Sequence, residues 1–380
     1  MKNEIIYFGI FDTLKNPHGL KVSPACCNKM EYVAETLIAA GYSCKILSIA
    51  QPNPCVKFGF IPTINCKLNN QIDVKILSTI GGNGLFWKIL RTLWGKIALL
   101  FFLLFKLRKG YAIALYHTPM HLEVFCLIKL LFRHKLILET EEIYNSVSSM
   151  LFTHRWLERY IFKLADGFIF PTELLNDTIN TKSKPYTIIY GNYHIPEIVS
   201  KKCIDKTHVV YSGTFNPRKG GAMAAISSAE YLGENYHLHV TGWGRENEIS
   251  DVKELIKQTS LKTKCEITFD GFVDDNVFFS YLQRFHIGIN SQNPNDILSS
   301  ACFPSKILVY MGNGLSVVSS KTEAIERSKL ADSIIQYDEQ CGQSIADAIK
   351  KISVVNNNRK VVNNLHLKCI NEIRSLFIDA

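Results

Sequence analysis

The sequence predicts an α/β protein built as two doubly wound domains. Three observations carry that prediction. The chain has 380 residues, more than one ordinary hydrophobic core absorbs. Short β-rich runs alternate with longer stretches of helical spacing, the pattern of parallel sheets covered on both faces. The alternation also runs twice. It is interrupted once, at 192–207, by an irregular polar stretch holding Pro196, Lys201, Lys202 and Lys206, which reads as the interdomain linker.

In the first half, strands are expected at Glu4–Ile10, Ser43–Ala50, Val74–Ile80, Ala112–His117, Lys135–Glu141, Gly167–Thr172 and Tyr186–Gly191. In the second half they are expected at His208–Gly213, Tyr236–Gly242, Cys265–Gly271, His286–Ser291, Leu315–Ser320 and Ser333–Tyr337. Asn28–Ala40, Thr153–Leu164, Gly221–Leu232 and Ser344–Ile352 have helical spacing, and Asn364–Phe377 reads as a last amphipathic helix. The expected division is therefore 1–195, 206–363 and a C-terminal helix over 364–380. Open α/β sheets bind ligands beyond the carboxyl ends of their strands. Two such domains facing each other would bring those ends together across a cleft.

Composition narrows the class. A hydrophobic content of 47% with 20% charged residues describes a globular chain. The formal charge of +9 favours acidic partners such as phosphorylated substrates or anionic lipid. No nucleic-acid-binding motif accompanies it, and no nucleic acid is expected as a partner. The 11 cysteines form no C-x-x-C pair, and no His/Cys group has zinc-like spacing in the sequence, so no metal site is expected and the thiols read as reduced. The N-terminus enters a strand directly, which reads as a chain without a signal peptide and hence as cytoplasmic.

The strand His208–Gly213 ends in a glycine. A polar loop follows, and Lys219-Gly220 then opens a helical pattern. Backbone N–H groups at a helix start favour an anion, and a lysine there adds a full charge. The functional reading is stabilisation of a leaving diphosphate by Lys219, shared with Arg218, without a metal or other cofactor. Phe303-Pro304-Ser305-Lys306 repeats the logic before a second helix, where Ser305 and Lys306 could hold phosphate. Gly242-Trp243-Gly244 closes another strand. Asn247 stands where a dinucleotide fingerprint needs its third glycine, so nicotinamide binding is disfavoured. Close backbone approach to a ligand, or a tight turn, accounts for Gly242 and Gly244. Phe272 and Val273, after Gly271, could flank a nucleobase, or Phe272 could pack in the core.

These pieces, taken in order, resemble the donor domain of bacterial GT-B-fold glycosyltransferases, near family 4 and related polysaccharide-assembly enzymes. Four segments carry the resemblance: Tyr211–Thr214 with Lys219-Gly220, His239–Gly244, Phe269–Val273, and Pro304–Lys306 with Tyr310 and Gly314–Val318. The first half resembles the acceptor domain through Tyr116–Pro119, Leu138–Tyr144 and Ala165–Thr172. The resemblance implies a hexosyltransferase-like enzyme that moves a sugar from a UDP- or GDP-linked donor to a glycan or a polyprenyl-diphosphate-linked acceptor. Its implied setting is surface polysaccharide assembly, O-antigen or capsule. It also implies donor contacts at Gly19, Gly213, Thr214, Arg218, Lys219, Gly242, Gly244, Phe272, Val273, Ser305 and Lys306. The chain departs from family 4 in two ways. Thr214 stands where an arginine is usual, and Ala301 and Val309 stand where the E-x7-E glutamates are usual. An epimerase of the same fold and a catalytically silent nucleotide-sugar-binding partner are the competing readings.

On the acceptor side His117 ends a strand, and Glu139, Glu141 and Glu142 cluster at the next strand end. By resemblance His117 lies near the donor sugar. If the enzyme inverts, one carboxylate takes the acceptor proton, and Glu142, already in the loop, is preferred. A hydrogen-bonded structural histidine and a solvated acidic loop are the alternatives. Leu85–Arg108 joins a nine-residue apolar run to flanking Lys88, Arg91, Lys96, Lys106, Arg108 and Lys109. It is too short and too charged to span a bilayer. A buried helix and a basic helix lying on an anionic membrane surface, at the inner face of the cell membrane, both fit.

Overall fold

The computed structural model describes residues 4–13, 17–53, 58–107, 111–118, 120–144, 152–217, 221–293, 302–352 and 357–378. The chain divides into two compact units. One comprises Met1–Ile189 with Leu367–Ala380, and the other comprises Tyr190–His366.

The first unit is built on a sheet of β1 (Glu4–Phe8), β2 (Ser43–Ile49), β4 (Ile64–Lys67), β5 (Ile72–Leu77), β7 (Ala112–Tyr116), β8 (Leu136–Glu139), β9 (Gly167–Phe170) and β10 (Tyr186–Ile188). Their order is β10-β9-β8-β7-β1-β2-β5-β4. All neighbours are parallel except β4, which lies antiparallel on β5 at the edge. A separate ribbon pairs β3 (Phe58–Ile61) with β6 (Thr79–Gly82), also antiparallel. The sequence reading missed β3 and β4 and fused β5 with β6. Short edge strands carry little apolar alternation, so periodicity does not reveal them. Central strands such as β1 and β8 are buried on both faces, as a helix-covered parallel sheet requires. The helices α1 (Pro24–Ala39), α2 (Leu85–Leu107) and α3 (Leu122–Phe132) belong to this unit.

The second unit holds β11 (Thr207–Thr214), β12 (Tyr236–Trp243), β13 (Glu266–Gly271), β14 (Ile287–Asn290), β15 (Ser316–Ser320) and β16 (Ile334–Tyr337). They form one parallel sheet in the order β13-β12-β11-β14-β15-β16. Each matches its sequence expectation within a residue or two. The order reverses at β11, whose neighbours are β12 and β14. That makes the carboxyl ends of β11 and β14 a topological switch point, where doubly wound sheets open a ligand crevice.

The boundary falls earlier than the composition suggested. Tyr190 and Tyr193 are already buried in the second unit. The Tyr190 hydroxyl accepts from Lys329 N at 2.8 Å, and its ring lies 4.8 Å from Phe303. The irregular stretch after it is fastened down as well. Val199 N and Ser200 N donate to Gln283 Oε1, and Cys203 N donates to Arg284 O. The last helix begins at Asn358 and ends at Leu376. Its final turns return to the first unit, where Glu372 accepts from Thr187 Oγ1 at 2.6 Å and Arg374 Nε donates to Ala40 O at 3.1 Å.

Candidate functional site

At the switch point of the second unit lies a cavity of about 290 Å³. Tyr211, Thr214, Gly221, Asn290, Gln292 and the segment Cys302–Lys306 line it. The sequence builds it in steps. Val209, Val210 and Tyr211 drive β11 into the core. Tyr211 then turns its hydroxyl to donate to Thr214 O at 3.0 Å, closing the strand end. The Lys306 ammonium sits 4.7 Å from the centre of the Tyr211 ring, a cation–π contact. Gly213 makes room for it, since a Cβ there would come within 2.3 Å of Lys306 Nζ. Gly221 is equally constrained, because a Cβ would meet the Tyr211 hydroxyl at 2.9 Å. Ser291 Oγ donates to Gly221 O at 2.5 Å and ties the first turn of the helix Gly221–Ser227 to the end of β14.

Ser305 and Lys306 open the helix Ser305–Gly312, with Pro304 as the residue before its first turn. The amides of that turn and the Lys306 ammonium therefore bound one cavity, which suits an anion. Tyr310 supports the arrangement from beneath. It is buried, its hydroxyl accepts from Ser212 N at 2.9 Å, and its ring fills the space over Gly288, where a Cβ would lie 2.4 Å away. Sequence reading singled out Lys306, Ser305, Gly213 and Thr214 but not Tyr211, Asn290 or Gln292. The apolar Tyr211 belongs to a core run, and its hydroxyl's use depends on the loop beyond it. Lys219 and Arg218 lie outside the described residues.

For two of the expected ligand glycines, packing alone already calls for glycine. Gly242 sits in register with Gly213 on the adjacent strand, and a Cβ there would meet Gly213 O at 1.7 Å. A Cβ on Gly244 would meet Phe215 at 3.0 Å and Glu248 at 3.1 Å. Strand-to-strand and loop-to-helix packing require these glycines without any ligand. Phe272 is 68% exposed, which overturns the core alternative for it. Val273 is half-buried beside it. Gly19, in the first unit, takes φ +60° with open space around its Cα, so its turn alone calls for glycine.

The first unit gathers acids and phenols at its strand ends. Glu139 closes β8, is 1% exposed and accepts from the Tyr7 hydroxyl. Burial raises its carboxyl, Lys29 opposes the rise, and Glu141 adds to it. Lys29 Nζ is 3.4 Å from Glu141 and donates to Ile189 O at 2.6 Å. Burial also lifts the Tyr7 and Tyr116 hydroxyls well above the ordinary phenol range. Tyr7, Lys29 and Tyr116 come from three separate elements, and no linear motif joins them. Glu142 is half-buried, and its carboxyl is raised first by burial and then by Glu141. His117 is 1% exposed, between the Tyr144 and Phe162 rings, with Glu158 Oε1 3.6 Å from Nε2. Burial lowers it to about 4, so it is neutral near pH 7. It stands at the predicted strand end but inside the unit rather than at its surface. A second cavity, of about 370 Å³, runs beside the helix Phe152–Leu164. Lys184, on its wall, donates to the carbonyls of Lys163 and Ala165.

No protein-family profile and no curated protein matches the chain. Solved structures do match it over its full length. Sucrose-phosphate synthase from Thermosynechococcus elongatus is 15% identical, with a TM-score of 0.63 and complete coverage of both chains. Alr3699/HepE of Anabaena in complex with UDP is 14% identical, with a TM-score of 0.65 and complete coverage of both. The trehalose-6-phosphate protein from E. coli bound with UDP-2-fluoro glucose is 10% identical, with a TM-score of 0.63, covering 99% of this chain and 98% of that one. At these identities the likeness establishes the fold, which is GT-B.

Proposed function

We propose that this chain is a glycosyltransferase that takes a sugar from a nucleoside-diphosphate sugar held on its second unit. The observation that carries the reading is the switch-point cavity with Lys306 and the start of the helix Ser305–Gly312 on its wall. Breaking a sugar–diphosphate bond builds negative charge on the leaving group. A fixed ammonium and helix amides stabilise that charge as it develops. Proteins of similar fold are described in complex with UDP, UDP-glucose and ADP, which supports a nucleoside diphosphate here. In this reading Lys219 and Arg218 add charge from the loop after β11, and Phe272 offers an exposed ring to the base. Because these cations stand in for a divalent ion, the chemistry is expected to be metal-independent. On the acceptor side Glu142, half-exposed and with a raised carboxyl, serves as the base if the reaction inverts. His117 then positions the loop through Glu158 and Tyr144.

The acceptor is a glycan or a lipid-linked sugar, and we place the reaction at an anionic membrane surface in polysaccharide assembly. The support is α2. Leu85, Ile89, Leu93, Ile97, Phe101 and Phe105 recur every four residues and are all exposed, Leu85 at 74% and Phe105 at 69%. Leu99 and Leu103 face inward and are fully buried. Phe60 extends the apolar stripe through an edge contact with Trp94. Lys88, Arg91, Lys96 and Lys106 share the helix with no acid. Such a helix suits the headgroup boundary. No described helix is long and apolar enough to cross a membrane. Arg108 and Lys109 lie outside the described residues.

The test is a panel of UDP- and GDP-sugars incubated with the purified protein, with product analysis. Release of nucleoside diphosphate together with a glycosylated acceptor or free sugar is the expected result. Interconversion of two nucleotide sugars would make the protein an epimerase, and binding without turnover a silent partner. Activity should persist in a chelator. Abolition with rescue by magnesium or manganese, but not by zinc, would overturn the metal-independent reading.

A further inference from the structure

At the opposite end of the second unit's sheet, three histidines from two adjacent strands converge. His208 opens β11, and His237 and His239 alternate on β12, with His208 in register with His237. All three are buried. One ring nitrogen of each lies within 4.8 Å of those of the other two. His208 Nδ1 and His239 Nε2 are 3.0 Å apart.

The proton inventory at that contact does not close by itself. His208 Nε2 faces Asp205 Oδ1 at 2.9 Å, and His239 Nδ1 faces Asp270 Oδ2 at 3.0 Å. Asp270 Oδ2 also accepts from the Tyr281 hydroxyl at 2.6 Å. An ionised carboxylate only accepts, so each outer nitrogen carries its ring's hydrogen. Two neutral rings then turn lone pairs on one another across 3.0 Å. Something positive belongs between them. A shared proton would serve two nitrogens, but a metal ion would also use the third, on His237.

We propose that His208, His237 and His239 bind a zinc ion. Zinc takes imidazole nitrogens at about 2.0–2.1 Å, which puts tetrahedral ligand atoms about 3.3 Å apart. The 3.0 Å contact needs only a small opening to reach that spacing. Asp205 and Asp270 are the outer partners that fix ring tautomer and orientation in zinc sites. An all-imidazole set suits zinc, and water completes the coordination. His208 stands three residues before Tyr211, the first cavity residue along that strand, a separation of about 10 Å. The ion would therefore clamp the base of β11 to β12 and take no part in glycosyl transfer. The proposal stands independently of the enzymatic reading.

The test uses the whole purified protein, stripped with a chelator and titrated with zinc alone. Metal content after gel filtration and melting temperature are the readouts. Cys203→Ser controls for thiol binding near Asp205. One zinc per chain and a raised melting temperature are expected for the wild type and for Cys203→Ser. His208→Gln and His239→Gln should each lose the bound zinc. Asp270→Asn keeps every ligand and should weaken affinity about 10- to 100-fold. Far-ultraviolet circular dichroism checks that each variant is folded. The proposal fails if folded wild type binds no zinc, or if zinc content and affinity are unchanged in His208→Gln and in Asp270→Asn. Either result would leave the inner contact to a shared proton.

Discussion

The two sheets end in opposite chemistry. The strand ends of the first unit hold acids and phenols, and burial presses Tyr7, Tyr116 and Glu139 into low-dielectric surroundings. The switch point of the second unit holds a cation, hydroxyls and helix amides around an open cavity. Burial in the first case favours the protonated forms of these groups, and it keeps a proton on Glu139 that an exposed carboxyl would lose. In the second, the Lys306 ammonium and the start of the helix Ser305–Gly312 lie on the wall of the cavity. The same doubly wound plan thus buries acids and phenols in one unit and lines a cavity with a cation in the other.

The difference is open to test, and the largest effect is expected at Lys306. Lys306→Ala should lower turnover about 10²- to 10³-fold, the scale of one lost transition-state charge partner. Its melting temperature should change little, because the ammonium lines a cavity. A large loss of stability with intact turnover would make Lys306 a structural residue and dissolve the contrast.

Gly242→Ala should act in the reverse sense, on stability first. Its new methyl group would meet Gly213 O, so β11 and β12 must separate locally, at a cost of about 3 kcal/mol. Chemical denaturation measures this directly. A cost near zero would show that the β11–β12 contact tolerates a methyl group at Gly242.

The first unit is sharpened by pH. In the folded chain Glu139 holds its proton up to about 8, whereas an unfolded glutamate loses it near about 4.3. Between those values the native state binds more protons, so stability falls as pH rises through the window. Glu139→Gln should flatten that part of the stability curve, read as melting temperature between pH 5 and pH 8. His117 works the other way. Its lowered value means that stability is lost as pH falls from about 6.5 toward about 4. An unaltered slope in Glu139→Gln would show that its carboxyl is solvated.

A smaller effect concerns what the first unit presents outward. Changing Lys88 and Arg91 together to glutamine should weaken binding to anionic vesicles by about 1 kcal/mol per charge; Lys96 is left out because it pairs with Glu123 at 2.7 Å. High salt should weaken wild-type binding as well. If wild-type protein ignores anionic vesicles at low salt, the exposed stripe of α2 serves another partner.

Much of this was legible in the sequence, for reasons that particular elements make plain. The central strands announced themselves because both faces are buried, as in β8 and β11. Ser305 and Lys306 were legible because Pro304 marks a helix start. Gly242 and Gly244 were visible as glycines but not as packing glycines, because their neighbours, Gly213 and Phe215, become adjacent only through strand pairing. The histidine cluster was invisible for the same reason. His208 lies 29 residues before His237 in the sequence and directly beside it in the sheet. Tyr7 and Glu139, 132 residues apart, meet only because the sheet order brings β1 and β8 onto either side of β7.

The claim on which the rest depends is that the switch-point cavity of the second unit binds a nucleoside diphosphate. Calorimetric titration of the wild type and of Lys306→Ala with UDP, GDP and their sugars tests it directly. Saturable binding of at least one of these nucleotides to the wild type is expected, weakened at least tenfold in a folded Lys306→Ala variant. Equal affinity in both proteins, or no binding to folded wild type by any of the panel, would contradict it.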